Sequence, residues 1–73
     1  MKKESEIIEI IQNATIIYTD KVKESYEAIQ ITEKGISIGR IIDDEFLRFG
    51  FIPDYNIKQV KNGFKKQVKI KKI

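Results

Sequence analysis

The sequence predicts an α+β fold, mostly β: an N-terminal helix, then a curled antiparallel meander of about five to six strands forming a partly closed barrel. Three observations predict it. Tyr26–Ile52 reads as three apolar runs separated by two turn signals, Thr32-Glu33-Lys34-Gly35 and Asp43-Asp44. Asn62-Gly63, between the runs 57–61 and 64–71, is the strongest short hairpin signal in the chain. Residues 6–14 instead place Ile7, Ile10, Ile11 and Ala14 at i, i+3, i+4 and i+7, one stripe of a helix.

In chain order, Ser5 is a fair N-cap for that helix, and Glu6 puts negative charge in its first turn. Its β-branched isoleucines argue the other way, so a strand competes for residues 6–14. Asn13 can end the helix. Thr15–Thr19 is then a short strand, and Asp20–Ser25 a polar connection too charged for a core.

The middle unit carries the register argument. A four-residue loop at Thr32–Gly35 sets Ile31 opposite Ile36, Ile29 opposite Ile38 and Glu27 opposite Arg40. A two-residue Asp43-Asp44 loop sets Arg40 opposite Leu47, Ile38 opposite Phe49 and Ile36 opposite Phe51. Since side chains alternate, this predicts one dry side holding Ile29, Ile31, Ile36, Ile38 and Phe49. Gly39 and Gly50 share the other side, where a neighbouring backbone can approach.

Pro53 closes the unit because it cannot donate to a strand partner, and Pro53–Asn56 reads as a turn. Asn62-Gly63 is a strong hairpin signal. It predicts strands at 57–61 and 64–71, with Lys61 opposite Phe64 and Ile57 opposite Val68. Phe64, Val68 and Ile70 are then inward, and Lys65, Lys69 and Lys71 outward.

The length sets a single domain, residues 1–73, with a thin core. No cysteine or histidine is present. This removes disulfides, thiolate zinc, and the commonest metal ligand and general base. Without either, no nucleophile–base–orienter set can be built, and a Ser-Lys pair has no motif support, so the expectation is a non-enzyme without cofactor. No apolar run reaches the ~18 residues of a membrane span. Glu6 and Glu9 interrupt the N-terminal isoleucines, so a signal peptide is not expected and the cytoplasm is the expected compartment.

Charge is unevenly placed. Residues 1–57 hold seven Lys/Arg and eleven Asp/Glu, whereas residues 58–73 hold seven lysines and no acid. Lys58, Lys61, Lys65, Lys66, Lys69, Lys71 and Lys72 are therefore candidates for nucleic-acid or anion contact, and Arg48 joins them as an anion candidate. The competing reading is a solvated strand whose lysines deter edge-to-edge pairing. With Phe64 inward and no arginine in the tail, base stacking and bidentate guanine readout lack support. Asp43, Asp44 and Glu45 are the one acidic cluster, a candidate for weak calcium binding against the plainer reading of an exposed turn. Tyr18, Tyr26 and Tyr55 show no arrangement in the sequence.

The stretch ITEKGISIG followed by FGFIPDYNIKQV resembles the middle of small prokaryotic pleckstrin-homology-like domains. There a strand–turn–glycine–strand unit precedes apolar-Ile-Pro-x-x-x-Ile-x-x-Val, here Phe51-Ile52-Pro53 through Ile57 and Val60. The resemblance covers about half the chain, and the closing C-terminal helix of that fold has no counterpart. A helix before a curled sheet is similar to Sm-like barrels as well, and the chain resembles small conserved hypothetical proteins of archaea. The resemblance implies a binding scaffold and transfers no functional residue. The expected function is a non-catalytic macromolecular-interaction module, with a protein partner first and nucleic acid second. Oligomeric state is not legible.

Overall fold

The computed structural model describes residues 7–71, and in it the predicted N-terminal helix is a strand. Strand β1 spans Ile7–Tyr18, β2 Lys23–Ile31, β3 Gly35–Ile42, β4 Glu45–Pro53, β5 Ile57–Lys61 and β6 Phe64–Ile70. The one helical element among the described residues is the 3-10 turn Asp54–Asn56. Ser5 and Glu6, the expected helix start, lie outside the described residues.

The helical stripe fails for a physical reason. Ile7, on the stripe, is 67% exposed, while Ile8, off it, packs into a core. Burial follows alternation instead: Ile8 and Ile10, then Ala14, Ile16 and Tyr18. As a strand, β1 pairs with β2 along one edge and with β5 and β6 along the other. A helix would satisfy its own backbone and leave all three neighbours with an open edge.

Nor is the sheet an antiparallel meander. Its pairings run β1–β2–β3–β4–β6 and back to β1, a ring that closes where β4 meets β6 in parallel. Strands β5 and β6 do not form the predicted hairpin. Thr15 pairs with Lys61 and Gln12 with Phe64, so one register along β1 runs through both strands. Asn62 (φ 62°) and Gly63 (φ 91°) are left-handed and kink this lane. They lie level with Asn13 of β1, itself at φ 56°. Glycine and asparagine tolerate such dihedrals in a kink as readily as in a turn.

The two middle turns form as predicted. Ile31 pairs with Ile36 and Ile29 with Ile38, while Thr32 N donates to Gly35 O at 2.8 Å. Asp43 and Asp44 (φ 54° and 64°) make the two-residue link with Ile42 opposite Glu45, and Arg40 faces Leu47. Beyond that point the register shifts. Gly39 pairs with Arg48 and Ile38 with Gly50, leaving Phe49 as the extra residue of a bulge. Phe49 is 62% exposed, and Phe51 faces Ser37 rather than Ile36. Glycine decides this: Ile38 fills the space that a side chain on Gly50 would occupy. The expected dry side therefore holds for Ile29, Ile36 and Ile38, and fails for Ile31 and Phe49.

Two clusters make the core. One gathers Ile10, Ala28, Phe46 and Val68 at the ring closure; the other gathers Ala14, Ile16, Ile29 and Ile36. Ala28 and Ile29 are consecutive on β2, point to opposite faces, and are both 0% exposed. Both faces of the strand are thus covered, although the chain is only 73 residues long.

Candidate functional site

Kinking one long lane along β1, rather than folding it into a hairpin, spreads the basic residues along both sides of that lane: Lys66 shares the side of Phe64, and Lys65 and Lys69 take the other. From Ile57 to Lys71 the chain carries Lys58, Lys61, Lys65, Lys66, Lys69 and Lys71 and no acid, and all six are exposed. Lys71 lies 3.7 Å from Glu45, the one ion pair among the described residues. An exposed pair of this kind is worth at most about 1 kcal/mol. Lys72 lies outside the described residues.

Phe64 departs from expectation. It is 64% exposed rather than inward. Val68 is buried because Phe46 packs over it at the ring closure. That closure pairs only Glu45 and Phe46 with Lys69 and Ile70. Phe64 precedes Val68 by four residues, about 13 Å of strand, so the closure does not reach it.

Arg48 sits on β4 with its guanidinium 6.0 Å from the centroid of the Phe51 ring, at the outer reach of a cation–π contact. With Phe49 it forms a second exposed basic–aromatic surface. The acidic turn does not converge. Glu45 turns to Lys71, Asp44 O accepts from Lys69 N at 3.3 Å, and no three acidic side chains among the described residues come together to hold a cation.

One grouping escaped sequence reasoning. The hydroxyls of Tyr18 and Tyr26 lie 2.8 Å apart, and both donate to Glu24 Oε1, from Tyr18 at 2.9 Å. Two protons serve three contacts, and the carboxylate takes both because charge-assisted bonds are the stronger. The Tyr26 hydroxyl, then that of Tyr18, holds the Glu24 carboxyl below its ordinary range. Burial, then Glu24, pushes Tyr26 well above the usual tyrosine range. The available signal was Glu24-x-Tyr26 on one side of an alternating strand. It was hidden by reading residues 20–25 as a connection, when β2 begins at Lys23.

Two open grooves lie on the surface of the described residues. One of ≈ 230 Å³ lies among Ile31, Ile36, Ile57 and Val60, with Thr32, Gly35 and Asp54 at its border. The other, of ≈ 420 Å³, lies between Ile7, Asp44 and the Gln67–Lys69 stretch of β6.

Fold and surface together define a small β-rich domain with a basic strand lane. No protein-family profile, curated protein or solved structure matches the chain.

Proposed function

We propose that the chain is a non-catalytic macromolecular-interaction module whose working surface is the β5–β6 lane, with nucleic acid as the partner. The observation that carries this is the set of six exposed lysines from Lys58 to Lys71, on strands without an acid; among the described residues only Lys71 is in an ion pair. Lysines so concentrated on one lane attract phosphates and release their counterions, so affinity falls as salt rises. Fluorescence anisotropy of a labelled oligonucleotide tests it. With about four lysines engaged, affinity drops roughly 50- to 150-fold between about 50 and 200 mM salt. A flat response refutes the proposal.

The protein-partner reading rests on a different observation, the exposed Ile31 beside the apolar groove of Ile36, Ile57 and Val60. Binding there is governed by apolar area and changes little with salt. Ile31→Asp abolishes it and leaves oligonucleotide affinity unaltered.

A further inference from the structure

We infer that Phe64 is a base-stacking platform, and that the nucleic acid taken by the β5–β6 lane is single-stranded. This rests on the nucleic-acid reading above and adds to it the strandedness of the ligand.

Phe64 stands on a hydrogen-bonded strand with its ring mostly in solvent, and it belongs to neither core cluster. Its neighbours suit one nucleotide. Alternation puts Lys66 on the same side, two residues or about 6.6 Å along the strand. Gln12 is the cross-strand partner of Phe64, so its Cβ lies about 5 Å away on the same side. A flat apolar ring, an amide that both donates and accepts, and an ammonium group therefore share one small surface.

The kink fixes the backbone from which the ring projects. A Cβ on Gly63 would lie 2.5 Å from Ile11 Cγ2 and 2.9 Å from Gln12 O. Only glycine lets the lane come this close to β1 immediately before Phe64.

The chemistry selects the ligand. In a duplex the base faces are covered by their neighbours, so an exposed ring finds no face to stack upon. An unpaired base offers one, whatever its identity. The lane has no arginine, which removes bidentate guanine readout and leaves recognition tolerant of sequence.

The test measures anisotropy of a labelled oligothymidine strand, and of a duplex of equal length, with the wild-type chain, Phe64→Ala, Phe64→Tyr and Lys66→Gln. The wild type prefers the single strand. Phe64→Ala weakens single-strand binding roughly 5- to 100-fold with an unchanged salt slope, whereas Phe64→Tyr keeps the affinity. Lys66→Gln lowers the slope by about 0.7. If the wild type binds with salt dependence but Phe64→Ala binds equally well, or the duplex binds as tightly as the single strand, the stacking inference is overturned and the electrostatic reading stands. If the wild type binds neither at low salt, both the stacking inference and the nucleic-acid reading fall.

Discussion

Replacing Gly39 by alanine is the sharpest test of how β3 and β4 meet. A Cβ at Gly39 would sit 2.1 Å from Leu47 O and 2.8 Å from Leu47 C, against the 3.4 Å at which ordinary contact begins. The obstacle is backbone, so no rotamer change relieves it. Strand β4 must retreat by more than an ångström at the bulge that turns Phe49 outward. Overpacking costs about 1–3 kcal/mol, and each strained strand hydrogen bond adds about 1 kcal/mol. A loss of about 3 kcal/mol or more is expected. Scaled by size, the whole chain is stable by roughly 4–11 kcal/mol. Gly50→Ala is the control, since its Cβ would meet only the Ile38 side chain, at 2.9 Å, and that side chain can shift. Its cost should be nearer 1 kcal/mol. Urea unfolding followed by circular dichroism reads both. In a thermal scan Gly39→Ala should lower the midpoint by roughly 12–24 °C. If Gly39→Ala unfolds with the wild type, or loses no more than Gly50→Ala, the close approach of the two strands is wrong.

Further expectations follow from burial and from the tyrosine cluster. Phe46→Ala, at a site 1% exposed, should cost about 3–5 kcal/mol, whereas Phe49→Ala should stay within about 0.5 kcal/mol; the reverse ranking in urea would restore the register that puts Phe49 inside. The unfolded chain protonates Glu24 at a higher pH than the fold does, so the cluster's contribution is complete above about pH 4.5 and fades as acid titrates the depressed carboxyl. Tyr26 is shifted upward, so its share is present below pH 10.0 and is lost as alkali removes the hydroxyl proton. The gap in urea midpoint between wild type and Glu24→Gln should therefore be constant near neutrality and narrow below pH 4.5; a gap independent of pH would remove the cluster as a stabilising latch.

Much of the local structure was legible. Gly35 closing a four-residue loop and the paired aspartates closing a two-residue loop set registers that the fold keeps next to each turn, because turn chemistry acts over a few residues. Pro53 ended its strand for the same kind of reason. The bulge was not legible. Ile38 opposite Gly50 and Ile38 opposite Phe49 differ by one residue, and the choice depends on whether the Ile38 side chain fills the space beside a glycine. The candidate site was half legible. The lysines stood out by composition, while the outward Phe64 and the Tyr18–Glu24–Tyr26 cluster depended on pairings the sequence does not state.

By itself the sequence determined strand preference, the two middle turns, the acidic body and the basic end. Only the tertiary structure decided that residues 7–14 are a strand, that Asn62-Gly63 kinks one lane along β1 rather than folding a hairpin, and that the lysines consequently share that lane. The physical reason is that alternation and turn residues encode neighbours close in the chain. Which edges meet is settled by closing the ring, where Glu45 and Phe46 find Lys69 and Ile70 across more than twenty residues. A left-handed Asn-Gly serves a hairpin or a kink equally, so that choice belongs to the partner strand.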